Sequence, residues 1–356
     1  MRFRFKGASS VLVAMTLGAG VLAGCSSSAA PTAKSLRALP AVPSPGCSQQ
    51  PSAQAGVNQP AGTGVPFTHG GVNGSYLVSA PSDLKSSTPT PVVLNVHGYE
   101  EPAAIQDAGS GLPAFGATHG FYTLTPELSE AGLPRWDFSK GSKDVAWLAA
   151  MVSNFESHAC VDLRRVYATG LSMGAYTVSS LACQLSGTIA AVAPVAGIQT
   201  YPWCDPTRPV PVIAFHGDAD PILAYGGGLG PKGKELPKPD GSGSIGDATS
   251  TAAAGTLGTQ FLKSVPTQAA TWAKRNGCGT PPTTTTASAD TSLITYPCPA
   301  DASVELYVIH GGGHSWPGGP AGVYPESIVG KETQTISADA LMWAFFLNHP
   351  LESVTK

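Results

Sequence analysis

In the stretch "VYATGLSMGAYTVSSLACQL" (166–185) the pattern of apolar residues changes from that of a strand to that of a helix. Its first part, Val166 to Thr169, is apolar and β-branched and predicts a buried strand, whereas Ala175 to Leu185 predicts a helix. Between them stands Ser172, with a glycine two positions away on each side. The chain holds 42 glycines in 356 residues, so this pentapeptide alone is weak evidence. Its surroundings must decide whether the serine is a nucleophile or part of an ordinary turn.

The rest of the chain repeats this alternation of strands and helices. Strands are predicted over Pro91–Val96, Phe121–Thr125, Ala190–Val195, Val210–Phe215 and Val304–Ile309, and helices over Lys143–Glu156, Val265–Asn276 and Ala338–Asn348. Such alternation predicts a mainly parallel central sheet with helices on both faces. A serine in a strand-to-helix turn of such a sheet is typical of the nucleophile elbow of α/β-hydrolases. We therefore predict an α/β-hydrolase fold.

The composition fits a large buried core and excludes some classes of partner. Hydrophobic residues make up 42% of the chain and charged residues 12%, which is unlike a disordered protein. The net charge is −3 with no long basic run, so no nucleic-acid partner is expected. No cysteine or histidine cluster has zinc-site spacing, so no metal site is predicted.

The N-terminus predicts export and a lipid anchor. A short basic segment and an apolar run are followed by small residues that end at Cys25, which resembles a bacterial lipobox. Cleavage before Cys25 would then lipidate its thiol and tie the protein to the outer face of the cell membrane; an ordinary secretory signal is the alternative. The expected segments are a signal peptide (1–24), a flexible tether (25–45), a catalytic domain (46–350) with a long loop insertion (226–259), and a tail (351–356).

The cysteines other than Cys25 predict disulfides. An even number remains, as is common outside the cytoplasm. Cys278 and Cys298 flank a polar loop and form the expected local pair. The pairing of the others is left open: Cys47, Cys160, Cys183 and Cys204.

A catalytic serine needs a base and an acid later in the chain. The base expected is His314, which follows three glycines after the strand 304–309, rather than His310 at the strand's end. The acid expected is Asp220, after the strand 210–215, although Asp218 is also suitably placed. The order serine, aspartate, histidine is that of α/β-hydrolases.

Two backbone amides are expected to bind the oxyanion. One is Met173 N–H, directly after the serine, and the other is Tyr99 N–H, in the loop after the strand 91–96. His97 and His216 are interpreted as structural residues rather than bases.

The motifs "NVHG", "DLRRVYATGLSMGA", "FHGDADPI", "WAKRNGC" and "GGGHSWPGG" together resemble the esterase family of polyhydroxybutyrate depolymerases and feruloyl esterases, which is similar to carbohydrate esterase family 1. The resemblance covers about residues 46–350. It implies an α/β-hydrolase fold, no cofactor, and a triad at Ser172, Asp220 and His314. It also implies that Trp316 lines the substrate site, with Trp136 as a second candidate for substrate binding.

One loop departs from the family pattern. Where relatives often have "HGCGG", this chain has "HGYEE", so Glu100 and Glu101 are expected to add charge at the mouth of the site. The sequence as a whole predicts an exported serine esterase acting on a hydroxyalkanoate oligomer or an acylated sugar. An acyltransferase acting on cell-envelope sugars and a non-catalytic surface binding protein are the alternatives.

Overall fold

The computed structural model describes residues 39–247 and 263–354. Their central feature is one sheet of ten strands in the order β1-β2-β4-β3-β5-β6-β7-β10-β9-β8. The strands are β1 Val65–His69, β2 Val72–Ser79, β3 Thr90–Val96, β4 Tyr122–Leu128, β5 Val161–Leu171, β6 Val192–Val195, β7 Val212–Gly217, β8 Thr283–Ser288, β9 Thr291–Thr295 and β10 Val304–Ile309. All six predicted strands are present, and the six neighbours from β4 to β10 pair in parallel.

The two ends of the sheet are antiparallel. At one end β2 pairs with β1 and with β4, and at the other β9 pairs with β8 and with β10. The sequence did not predict β1, β2, β8 or β9. Mixed sheets with antiparallel edge strands are common among large α/β folds.

The described helices are α1 Ala103–Ser110, α2 Leu112–His119, α3 Lys143–His158, α4 Met173–Gln184, α5 Pro231–Glu235, α6 Val265–Arg275, α7 Glu326–Val329 and α8 Ala338–Leu347. Short 3-10 turns cover Pro45–Ser48, Ala53–Ala55 and Ile245–Asp247. The helices predicted within 143–156, 175–185, 265–276 and 338–348 are all observed, each within two residues of its expected bounds. Ser264 and Ser337 accept the N-cap hydrogen bonds of α6 and α8.

Two apolar cores lie on opposite faces of the sheet. Successive residues of β7 alternate between them, with Ala214 in one and Phe215 in the other. Helices α3, α4 and α6 pack into the first core, and α2 and α8 into the second. The prediction of an α/β-hydrolase fold with helices on both faces is confirmed.

Three disulfides cross-link the described part of the chain: Cys47–Cys160, Cys183–Cys204 and Cys278–Cys298. The last is the local pair predicted from the sequence. The first ties the N-terminal segment to the residue that precedes β5.

The tether predicted over 25–45 ends earlier than expected. Val42 N–H donates to the Asp162 carboxylate, and Ser44 N–H donates to Val161 O. These bonds fix residues 42–44 on β5, so the packed domain begins before Gly46.

Several other predictions fall partly or wholly outside the described residues. They are the signal peptide, Cys25, residues 248–259 of the predicted loop insertion, and the last two residues of the tail. The described part of the insertion, 226–247, contains α5 and one 3-10 turn. No helix in the described parts of the chain is both long and apolar enough to cross a membrane.

Candidate active site

Ser172 stands in a sharp turn between β5 and α4. Its backbone has φ 59° and ψ −119°, a left-handed conformation that is rare for a residue with a side chain. Ser172 N–H donates to Val195 O at 3.0 Å, which links the turn to the end of β6. A strained, non-glycine residue between strand and helix is the geometry of a nucleophile elbow.

The two glycines of the motif allow the close packing of this turn. A Cβ at Gly174 would overlap the carbonyl oxygen of Val96, and a Cβ at Gly170 would stand 2.5 Å from the same oxygen. Beyond the turn, a Cβ at Gly197 would stand 2.6 Å from Ser172 O. Side chains at Gly170 and Gly174 would push the elbow away from the end of β3, and one at Gly197 would displace the backbone of Ser172.

Asp220 and His314 meet after two neighbouring parallel strands. Asp220 follows β7, His314 follows β10, and β7 pairs with β10. His314 Nδ1 lies 2.7 Å from Asp220 Oδ2, and both side chains are buried. Because a carboxylate can only accept, Nδ1 carries the hydrogen and Nε2 is left as the basic nitrogen.

The Asp220 carboxylate is fixed by several donors. Oδ1 accepts the N–H groups of Ile222 and Leu223 at 2.8 and 2.9 Å, and Oδ2 also lies 3.3 Å from His216 Nε2. Burial by itself would raise the pKa of Asp220. The charge of His314 and the hydrogen bonds from both histidines outweigh it and hold this pKa below its ordinary range. Asp220 therefore stays ionised next to His314.

The alternative pair, Asp218 and His310, lies at the surface. His310 Nδ1 is 2.9 Å from Asp218 Oδ2, its Nε2 is 2.8 Å from Ser292 Oγ, and its side chain is 52% exposed. The segments after β7 and β10 thus hold an exposed Asp–His pair beside the buried Asp220–His314 pair. Burial favours Asp220–His314 as the catalytic pair, since a hydrogen bond between charged groups is stronger where water is excluded.

His97 and His216, the two histidines interpreted as structural, both bond to backbone carbonyl groups. His97 is fully buried and its Nδ1–H donates to Gly98 O at 2.7 Å, while burial lowers the pKa of the ring to about 4. His216 Nε2–H donates to Leu223 O at 2.9 Å, beside Asp220. His97 is therefore neutral at pH 7, and His216 helps to hold the Asp220 turn.

The turn after β3 contains the predicted oxyanion donor Tyr99. Its neighbouring amides are engaged: Gly98 N–H donates to Glu101 Oε2 and Glu100 N–H donates to Pro134 O. The hydrogen bonds of the turn do not use Tyr99 N–H. Met173 is the first residue of α4, so its N–H has no intrahelical acceptor. Both amides can thus serve as donors.

The sequence predicts that Glu101 adds charge at the mouth of the site, but the structure does not place it there. Its side chain is buried inside the turn and hydrogen-bonded, and the prediction was wrong for this residue. Glu100 is only partly buried. An acidic residue in a loop is usually solvated, and the sequence carried no signal for this burial.

The two tryptophans are packed rather than open to substrate. Trp316 and Trp136 are each 3% exposed. Trp316 Nε1–H donates to Asp339 Oδ1 at 2.8 Å, and Trp136 Nε1–H donates to His97 O at 3.1 Å. Both indoles are therefore held by a buried acceptor and leave little ring surface open, whereas the resemblance implies that they bind substrate.

Among the described residues, no group of three or more His, Cys, Asp or Glu side chains is arranged to hold a metal ion. The polar groups of the site instead suit covalent acyl chemistry: a strained serine, a histidine with a free Nε2, an ionised aspartate and two candidate amide donors.

No family model matches the chain. It is 30% identical over 267 residues to the putative esterase NocK of Nocardia uniformis subsp. tsuyamanensis, which covers 70% of this chain and 72% of that protein. It is 26% identical over 250 residues to feruloyl esterase B of Piromyces equi, covering 67% of this chain but only 42% of that enzyme. It therefore spans less than half the length of the feruloyl esterase.

A solved structure supports the fold. The acetyl xylan esterase from Aspergillus awamori matches with a TM-score of 0.52 at 16% identity, over 80% of this chain and 100% of that one. The similarity to the putative esterase covers more than two thirds of both sequences. The chain belongs to the family of carboxylic ester hydrolases that includes the polyhydroxybutyrate depolymerases and feruloyl esterases.

Proposed function

We propose that this chain is an exported serine esterase in which Ser172, His314 and Asp220 form the catalytic triad. The observation that carries the proposal is the buried Asp220–His314 hydrogen bond of 2.7 Å, together with the strained turn that holds Ser172 at the same edge of the sheet. Ser172 follows β5, Asp220 follows β7 and His314 follows β10. Because these strands are parallel, their C-terminal ends lie at the same edge of the sheet.

The reaction begins when Ser172 Oγ attacks the ester carbonyl carbon and His314 Nε2 takes the hydroxyl proton. Asp220 stabilises the imidazolium that results. The N–H groups of Met173 and Tyr99 stabilise the oxyanion of the tetrahedral intermediate, each contributing about 3 kcal/mol to lowering the barrier.

Collapse of this intermediate releases the alcohol, which receives the proton from His314. An acyl group then remains on Ser172. Water deprotonated by His314 attacks this acyl-enzyme through a second tetrahedral intermediate, and the acid leaves.

The proposed substrates are small carboxylic esters: hydroxyalkanoate oligomers or sugars that carry feruloyl or acetyl groups. The name of one relative, a feruloyl esterase, supports the sugars that carry feruloyl groups.

The proposed location is the outer face of the cell membrane, with a lipid anchor at Cys25. Three disulfides support an oxidising compartment, and the basic and apolar N-terminal sequence supports export.

The test is hydrolysis of p-nitrophenyl esters from acetate to octanoate by the chain without its first 25 residues, as wild type and as Ser172→Ala. We expect turnover that falls by at least about 1000-fold in the variant. The chain-length profile then narrows the acyl group. Equal background rates in two folded proteins would refute the esterase, and product formed only with a sugar acceptor present would identify a transferase.

A further inference from the structure

Glu101 is a buried carboxylate with a different partner on each oxygen. Oε2 accepts Gly98 N–H at 2.7 Å, and Oε1 accepts the hydroxyl of Tyr324. The side chain is 7% exposed, and burial raises the pKa of its carboxyl, while the two hydrogen bonds oppose that rise. A buried acid that uses both oxygens joins the two segments from which its donors come.

The first segment is the oxyanion turn, residues 97–101. A Cβ at Gly98 would stand 2.9 Å from Glu101 Oε2 and 3.4 Å from Ser172 Cβ. The Gly98 backbone is thus packed between the carboxylate and the proposed nucleophile. Any shift of the carboxylate would move this turn, and with it Tyr99 N–H, relative to the serine.

The second segment, residues 324–331, supports the loop that carries His314. His314 N–H donates to Val329 O at 2.6 Å, and Gly313 N–H donates to Lys331 O at 2.8 Å. Tyr324 begins this segment and reaches across α1, where a Cβ at Gly109 would overlap its hydroxyl. The tyrosine therefore connects the support of the histidine loop to Glu101.

We propose that Glu101 is a positioning residue that, through Gly98 and Tyr324, holds the oxyanion turn and the His314 loop in fixed register around Ser172. The proposal rests on the esterase function proposed above. Glu101 touches neither substrate nor reacting atoms. It aligns the donor at Tyr99 before the reaction, and such preorganisation stabilises the transition state more than the bound substrate.

The test compares four single variants of the full exported chain. Glu101→Leu removes both acceptors, Glu101→Gln keeps one amide oxygen for Gly98, and Tyr324→Phe removes only the hydroxyl. Glu235→Gln is the control for the loss of a carboxylate, because Glu235 is an exposed acid of α5, outside the oxyanion turn, and takes part in neither hydrogen bond.

We expect kcat to fall by about 10- to 100-fold in Glu101→Leu with KM within about twofold, the scale of a misplaced oxyanion donor. Glu101→Gln should recover most of this loss, and Glu235→Gln should match the wild type. The double variant Glu101→Leu/Tyr324→Phe should be no slower than Glu101→Leu alone, since both changes break one connection.

A second readout does not depend on activity. In the Ser172→Ala background, hydrogen exchange of the Gly98 amide should become at least about tenfold faster in Glu101→Leu while the melting temperature stays within a few degrees. If the wild type hydrolyses no ester, the proposed function fails, but this exchange rate still decides whether Glu101 holds the turn.

Three results would overturn the proposal: unchanged exchange at Gly98, a kcat in Glu101→Leu within twofold of the control, or a loss that appears only in KM. If Glu101→Leu does not fold, Tyr324→Phe decides. A fall in its kcat of at least about threefold at constant KM supports the connection, and an unchanged kcat refutes it.

Discussion

Asp339 should make the stability of this protein fall as the pH rises from 4 to 8. It is the second residue of α8 and is buried, and its Oδ1 accepts the indole N–H of Trp316 at 2.8 Å. Burial raises the pKa of this carboxyl to about 7, and the hydrogen bond from Trp316 only partly opposes that rise. Because the folded-state pKa exceeds the unfolded one, the stabilisation is complete below about pH 4 and is lost as the pH rises through 7.

The size of this loss of stability follows from the raised pKa of Asp339 and from its place in the first turn of α8. A rise from 3.8 to about 7 corresponds to about 4 kcal/mol. The first turn of a helix favours a negative charge by up to about 1 kcal/mol, which acts in the opposite direction. We therefore expect a net loss of about 3 kcal/mol between pH 4 and pH 8, a large part of the stability of an ordinary domain.

The assay is urea unfolding of the wild type and of Asp339→Asn with disulfides intact, at several pH values from 4 to 8. Asparagine keeps the size and the acceptor for Trp316 but cannot ionise. The wild type should lose about 3 kcal/mol relative to the variant across this range. Glu326→Gln, at an exposed acid in the first turn of α7, is the control and should show a constant difference. Parallel curves for the wild type and Asp339→Asn would refute the reasoning.

Three further outcomes follow from the geometry. Asp220→Asn should lower kcat by about 10⁴-fold in the p-nitrophenyl ester assay. Asp218→Asn, the same change in the exposed pair, should leave kcat within about twofold of the wild type. Similar losses in both variants would contradict the proposed triad. Gly197→Ala adds a Cβ 2.6 Å from the carbonyl oxygen of the strained serine, and kcat should fall by about 10-fold or more. The double variant Cys47→Ala/Cys160→Ala opens a loop of 113 residues. Its free energy of unfolding in guanidinium should be lower by about 3 to 5 kcal/mol. An unchanged unfolding midpoint would show that this disulfide does not stabilise the fold.

The parallel strands were predictable because both of their faces are buried. Most residues of β7 and β10, and those of β5 from Val166 onward, are apolar and buried, and such continuous runs stand out in a sequence. The antiparallel edge strands lack this signal. In β8, Thr283–Ser288, five of the six residues are exposed, so their threonines resemble a polar loop. Only pairing with β9 makes this segment a strand.

The pattern of the proposed triad is visible in the sequence, but the surroundings of its residues are not. The elbow at Ser172 and the chain order of the three residues are local or sequential features. The choice between Asp218 and Asp220 is different, because both follow the same strand. It depends on the turn in which Asp220 Oδ1 caps the amides of Ile222 and Leu223. The contact of Glu101 with Tyr324, 223 positions away, has no sequence signal at all.

Five buried ionisable residues lie at the C-terminal edge of the parallel strands, each within a few residues of a strand end: His97, Glu101, His216, Asp220 and His314. Others, such as Asp162 and Asp339, are buried elsewhere in the fold. Each of the five is costly to desolvate, and the left-handed Ser172 adds strain, so this edge lowers the stability of the domain.

The disulfides lie toward the opposite edge. Cys160 directly precedes β5, Cys298 stands in the connection that enters β10, and Cys183 is near the end of α4, the helix that runs back from the elbow. Cross-links there can offset the cost of the polar edge without restricting the loops that must admit an ester. In a chain with only 12% charged residues, this division lets one edge of the sheet carry the chemistry while the other carries the covalent reinforcement.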